Sequence, residues 1–286
     1  MLEYENGGHM DYNRCDICVE ETCEGSYDCN CKSCERINKC YRMLHPTIRI
    51  TDKCTQECAH CCFRCSPKGT KMMTVEVAKS ISCFIKNNRI YSVNLMGGEF
   101  FLNKDWYEIF LLITDGLENV RIVTTGDWAK DEDTKKKLLL LKEKLGDTLW
   151  IAVSNDKWHT NRNVAEAEVF LEQNNFSYHI ETKEEGDENT IVPIGRSDGE
   201  CNFYGMFGCY CHNPKNMYSF LINEKGTIYK CGFGVYDYAS VQEYEHGGFR
   251  KRFKEFNKKF YGIFIPSCAA CIRSARHHDA LDLQNQ

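Results

Sequence analysis

Cys54, Cys58 and Cys61 lie in the stretch C-T-Q-E-C-A-H-C, a C-x3-C-x2-C triplet, and no other feature narrows the chain's architecture as far. Three thiolates packed this tightly suit a soft metal centre, and iron–sulfur clusters are held by cysteine thiolates. A cubane cluster held by a triplet keeps one iron open to a small molecule, which makes such a site chemical rather than structural. Ile48-Arg49-Ile50-Thr51, just before the triplet, reads as a short strand running into the loop.

A second strand pattern, Val93 to Met96, ends in Gly97-Gly98-Glu99. Glycines let backbone approach a ligand closely, and a carboxylate pairs with an ammonium group. The position matters because barrels place active sites at the C-terminal ends of their strands. Further on, strand and helix patterns alternate. Thr74 to Lys86 carries Val75, Ala78, Ile81 and Ile85 at helical spacing, with Thr74 as N-cap. Helices are expected at Trp106–Ile113, Asp131–Leu145 and Asn161–Gln173, and strands at Val120–Thr124, Leu149–Val153 and Phe176–Ile180. Units of this kind predict an α/β fold with a parallel sheet and right-handed crossovers. The count of five or six units fits a partial (β/α)6 barrel better than a closed eightfold one.

The 286 residues carry 36 basic and 41 acidic side chains, net −5, without a basic run, which argues against a nucleic-acid backbone as the main partner. No apolar stretch reaches membrane-spanning length and no signal-peptide pattern is seen, so a chain that is neither exported nor membrane-bound is expected. Gly7-Gly8-His9-Met10 reads as a remnant of cloning, and residues 1–9 are set aside. The 19 cysteines read as metal ligands rather than disulfides, which implies a reducing, anaerobic cytoplasm.

The triplet, with His60 as the planar ring before its third cysteine, and the Gly97-Gly98-Glu99 turn together resemble the signature of radical S-adenosylmethionine (radical SAM) enzymes. The resemblance implies that Cys54, Cys58 and Cys61 hold a [4Fe-4S] cluster whose open iron is chelated by S-adenosylmethionine. One electron then cleaves the sulfonium to a 5′-deoxyadenosyl radical. It also implies that Gly97, Gly98 and Glu99 meet the methionine amino group. Strand-end residues Thr125, Ser154 and Asn155, and the later Arg196, become cofactor contacts. Asp156 and His159 become acid–base or substrate groups, although Asp and Asn also favour turns for purely local reasons.

The last third carries Cys211, then Gly226 and Cys231 in a C-x14-G-x4-C arrangement, and Cys268-x2-Cys271. Phe220 to Tyr229 between them reads as a β-hairpin. This set resembles the twitch form of the SPASM subdomain and implies an auxiliary [4Fe-4S] cluster on Cys211, Cys231, Cys268 and Cys271; a four-cysteine zinc site is the alternative. Cys201 and Cys209 are additional thiols. At the other end, seven cysteines fall between Cys15 and Cys40 with few apolar residues, so this stretch needs metal to fold. Cys15-x2-Cys18 and Cys31-x2-Cys34 resemble a zinc ribbon or knuckle, with a further iron–sulfur cluster as the alternative. The expected organisation is a Cys-rich metal-binding extension at 10–45, a radical SAM partial barrel at 46–198 and a twitch/SPASM-like subdomain at 199–286.

C-x-H-C-C-F-x-x-S-P, followed by T-x-G-x-W and S-x-D-x-x-H, resembles the peptide-modifying branch that matures ribosomally made natural products. Crosslinking, thioether formation, epimerisation or another oxidation of a peptide is the expected reaction, with a flavodoxin or ferredoxin as electron donor. For an epimerase, Gly232 stands where a hydrogen-donating thiol is expected beside the hairpin's last cysteine, which favours a net oxidation. Two other classes stand beside it: a small-molecule radical SAM dehydrogenase or isomerase, and a non-catalytic metal-binding interaction protein.

Overall fold

The computed structural model describes residues 44–156, 158–159, 163–182, 219–229 and 237–253. Its first strand, β1 (His45–Arg49), buries Ile48 on one face and leaves Thr47 and Arg49 half-buried on the other. The same period of two recurs in β2 (Ser92–Met96) and β3 (Asn119–Thr124), which bury Val93, Leu95, Val120 and Ile122. Parallel strands covered on both faces read as unbroken apolar runs. Alternation here means that one face is buried and the other carries the half-buried Arg49, Asn94, Met96 and Arg121.

The helices supply the cover. α1 (Val75–Asn87) starts where the Thr74 side chain accepts a hydrogen bond from Val77 N–H, and buries Ala78, Ile81, Phe84 and Ile85. α2 (Trp106–Thr114) buries Ile109, Phe110 and Ile113. α3 (Glu132–Leu145) is capped by Asp131, which accepts from Asp133 and Thr134 N–H, so the helix begins one residue later than its sequence pattern reads. It turns Leu138 and Leu141 inward and leaves Leu139 and Leu140 exposed. β4 (Leu149–Ser154), α4 (Val164–Gln173) and β5 (Ser177–Glu181) complete the alternation.

Strands β6 (Ser219–Ile222), β7 (Thr227–Tyr229) and β8 (Asp237–Ser240) belong to the same sheet, whose order is β5-β4-β3-β2-β1-β6-β7-β8. β1 to β5 run parallel, each beside the next, and β6 runs parallel to β1 on its other side. β7 and β8 follow antiparallel. The β6–β7 turn is built by Asn223, whose Oδ1 accepts from Lys225 and Thr227 N–H, and by Gly226 at φ 79°.

Two contacts weld this hairpin to the rest. Phe220 meets Phe249 and Phe253 at centroid distances of 5.1 and 5.2 Å, and Phe249 meets Phe84 of α1 at 4.9 Å. Glu224 in the turn, 2% exposed at its side chain, accepts from Arg49 Nε and NH2 at 3.1 and 2.8 Å. A buried pair of this kind fixes register, because removing either partner strands a charge. Among the described residues no helix is long and apolar enough to cross a membrane.

Candidate functional site

The segment after β1 leaves the sheet and returns along itself. Met73 N–H donates to Ile50 O, Asp52 N–H to Lys71 O, and Cys54 N–H to Ser66 O, so residues 50–54 and 66–73 form the neck of a closed loop. Gly69 sits in that neck, where a Cβ would lie 2.4 Å from Asp52 O. Asn103, fully buried, pins both sides of the neck. Its Nδ2 donates to Ile50 O and Met73 O, and its Oδ1 accepts from Asp105 N–H. Asn103→Ala would take this donor from two buried carbonyls, leaving Ile50 O with Met73 N–H, and is expected to cost about 2 kcal/mol, read from the urea midpoint at unchanged slope.

The triplet rides on this loop. Cys54 and Cys58 are buried, Cys61 is half-buried, and the three stand reduced, outside any disulfide. Burial pushes the Cys54 thiol up to about 12, and the charges of Glu99, Cys58 and Cys61 push the same way. Cys58 Sγ donates to Gln56 Oε1 at 3.6 Å. Cys65, also buried, directs its N–H at Cys61 Sγ (3.4 Å), and a thiol hydrogen bond to Cys61 together with burial raises its own pKa. A bound cation would offset the burial and the like charges that raise Cys54. The donor set therefore fits a thiolate-ligated metal cluster at Cys54, Cys58 and Cys61.

The end of β2 is pressed against the loop. Gly98 N–H donates to Thr51 O and Glu99 N–H to Lys53 O, at 2.9 and 2.8 Å. A Cβ on Gly98 would stand 2.3 Å from Lys53 O and 2.8 Å from Cys54 Cβ, so the glycine is what permits this approach. The Glu99 carboxylate turns inward, 1% exposed. It accepts from Thr124 Oγ1 (2.7 Å), Thr125 N–H (2.7 Å), Thr125 Oγ1 (2.6 Å) and Phe101 N–H (3.4 Å). Burial raises its pKa, and the Thr125, Thr124 and Phe101 hydrogen bonds oppose that. These bonds fill a carboxylate's lone-pair sites. Glu99 and Thr125 thus meet at the loop's edge, with Glu99 serving as the clasp between β2 and β3. Asp127 extends the clasp: it accepts from Thr55 Oγ1 on the loop and from Asn163 Nδ2 (3.1 Å) before α4.

At the end of β4, Asn155 N–H donates to Glu181 O of β5. Ser154 is half-buried and Asn155 exposed. Asp156 and His159 come together with His60 of the loop. Asp156 Oδ1 lies 2.7 Å from His159 Nδ1, and Oδ2 lies 3.5 Å from His60 Nε2. Burial opposes both charges, but the Asp156 bond and a hydrogen bond to Cys58 raise His159 to about 10. Asp156 is held below its ordinary range, because His159 and His60 outweigh its burial.

The structure thus sets Gly98 against Cys54, joins Glu99 to Thr125 beside it, and brings His159 to both Asp156 and Cys58. Arg196 and the cysteines at 15, 18, 31, 34, 201, 209, 211, 231, 268 and 271 lie outside the described residues. Asn103, Asp127 and the Arg49–Glu224 pair were not singled out from sequence, whereas Thr124 stands in the strand-end run Thr124-Thr125-Gly126 that sequence marks. Asn103 looks like an ordinary loop residue until its partners are known.

No family model matches the chain. AlbA of Bacillus subtilis (strain 168), an antilisterial bacteriocin subtilosin biosynthesis protein, is 28% identical over 89 residues, which is 31% of this chain and 20% of AlbA. Native anSMEcpe with bound AdoMet and Cp18Cys peptide superposes with a TM-score of 0.50 at 15% identity, over 76% of this chain and 82% of its own. BtrN in complex with AdoMet and 2-DOIA gives 0.50 at 14%, over 75% and 85%. These structural neighbours are radical SAM enzymes, and at such identities the likeness is one of fold.

Proposed function

We propose that the chain is a radical SAM enzyme acting on a ribosomally made peptide. The observation that carries this reading is the contact between Gly98 and Cys54, which sets a three-thiol loop directly against a Gly-Gly-Glu strand end. Cys54, Cys58 and Cys61 would hold a [4Fe-4S] cluster, which with S-adenosylmethionine supplies a 5′-deoxyadenosyl radical able to take a hydrogen atom from an unactivated C–H bond.

The chain's own part is to bind, orient and exclude water. Gly97 and Gly98 give the cofactor's methionine end a backbone ledge without side chains. Glu99, with its acceptor sites filled, keeps that ledge and Thr125 in register and lends negative charge to an ammonium. Ser154, Asn155 and Arg196 are assigned to the rest of the cofactor. Asp156 and His159 handle a substrate proton or polar group beside the loop. Cys211, Cys231, Cys268 and Cys271 are assigned an auxiliary [4Fe-4S] cluster that carries an electron away, and the cysteines at 15, 18, 31 and 34 a zinc or further iron–sulfur site. A net oxidation such as crosslinking or thioether formation follows from a fully ligated auxiliary cluster.

The C-x-H-C-C pattern and the partial similarity to AlbA favour a peptide substrate. BtrN, in complex with 2-DOIA, is as similar in fold as the peptide-bound anSMEcpe, so fold alone does not choose between peptide and small molecule. The test is anaerobic reconstitution followed by reduction in the presence of S-adenosylmethionine. The wild-type chain is expected to form 5′-deoxyadenosine, and a Cys54→Ala/Cys58→Ala/Cys61→Ala variant to form none. A wild-type chain that binds zinc alone and cleaves nothing would sink the proposal.

A further inference from the structure

We propose that His60, Asp156 and His159 form a binding site for a divalent transition-metal ion of the zinc or iron(II) kind, distinct from the three-thiol centre. His60 comes from the loop after β1, and Asp156 and His159 from the segment after β4. One ligand atom from each lies within 4.8 Å of the others. Asp156 presents one oxygen to each imidazole, at 2.7 Å from His159 Nδ1 and 3.5 Å from His60 Nε2. Around an ion with bonds of roughly 2.0–2.1 Å, neighbouring ligand atoms stand on the order of 3 Å apart, so a set held within 4.8 Å closes on an ion by side-chain adjustment alone.

The chemistry of the set is selective. Two imidazoles and one carboxylate suit zinc or iron(II), whereas the neighbouring thiols suit an iron–sulfur cluster. Three protein ligands leave coordination positions open to water or to a substrate oxygen. The surroundings are those of a built site. The side chains of His60, His159 and Asp156 are 18, 12 and 6% exposed, which desolvates an ion while leaving it an entry. The Trp158 ring lies against His60 at 5.1 Å and His60 against His159 at 5.0 Å, so both imidazoles are held in place. His159 also hydrogen-bonds Cys58, and metal-bound imidazoles are commonly oriented by a partner on their other nitrogen.

With an ion bound, the three residues act through it as a Lewis acid and substrate anchor rather than as a free acid–base pair. The inference stands whether or not the thiol loop carries radical chemistry. Its test uses the full chain, reconstituted anaerobically, equilibrated with Zn²⁺ and desalted. Zinc, iron and sulfide are counted for wild type, His60→Ala and Asp156→Asn, with X-ray absorption at the zinc edge. Each variant is expected to lose about one zinc per chain at unchanged iron and sulfide. The wild-type minus variant spectrum should show nitrogen or oxygen neighbours at roughly 2.0–2.1 Å. Equal zinc in all three proteins would overturn the site. If a variant also loses iron and sulfide, the wild-type spectrum decides: imidazole scattering supports the site, and a shell of sulfur alone at roughly 2.3 Å overturns it.

Discussion

Gly98→Ala is expected to destabilise the protein by about 3 kcal/mol or more and to abolish retention of a cluster at the triplet. The added methyl would sit 2.3 Å from Lys53 O, 2.7 Å from Lys53 C and 2.8 Å from Cys54 Cβ. None of these is the far end of a flexible side chain, so relief requires the backbone at 53–54 to move away from β2. That movement breaks the Gly98–Thr51 and Glu99–Lys53 hydrogen bonds and displaces the first cysteine of the triplet. Gly97→Ala is the internal control. Its methyl would meet one atom closely, the Thr51 Cγ2 methyl at 2.8 Å, and backbone only at 3.3 Å, so a smaller loss of about 2 kcal/mol is expected. Urea midpoints and iron retained after anaerobic reconstitution measure both effects. Equal, small losses for the two variants would show that the strand end and the loop are not in the contact described.

What could be read from the sequence follows how local each constraint is. The triplet, the Thr74 cap and the βα alternation are set by residues a few positions apart, and their elements form close to where the pattern puts them. The Asn223–Gly226 turn is local in the same sense. Partners distant in sequence could not be foreseen. Arg49 pairs with Glu224, Thr124 with Glu99, and Asn103 with Ile50 and Met73, and no pattern in the chain marks these pairings. The position of β6 beside β1 is of the same type, because an apolar strand can join either edge of a parallel sheet until packing decides. Here the Phe84, Phe220, Phe249 and Phe253 contacts and the Arg49–Glu224 pair select the β1 edge. His60 shows the limit most clearly. Sequence marks it as the planar ring before the third cysteine, but its chemistry depends on Asp156, which only the folding of β4 brings within reach.

Glu99→Ala is the second large effect, expected at about 3–5 kcal/mol. The carboxylate accepts from the Thr124 and Thr125 hydroxyls, Thr125 N–H and Phe101 N–H, all inside the protein, and of these donors the Thr125 hydroxyl has a second acceptor in Asp127 Oδ2 at 3.3 Å. Truncation leaves those donors facing one another across a void, so the β2–β3 junction loses its clasp rather than one bond. Glu99→Gln keeps the shape but points an amide NH2 at donors, and about 2 kcal/mol is expected. The two variants part at Cys54. The Glu99 charge is one of the causes that raise this thiol, so both substitutions should bring its pKa down from about 12 in cluster-free protein. Glu99→Gln, which retains the packing, isolates that electrostatic part. Denaturant midpoints read the stability, and the pH dependence of Cys54 alkylation reads the thiol. A loss below about 1 kcal/mol for Glu99→Ala would show that the network does not hold the strand ends together. An unmoved Cys54 in Glu99→Gln would show that the carboxylate does not act on the cysteine loop.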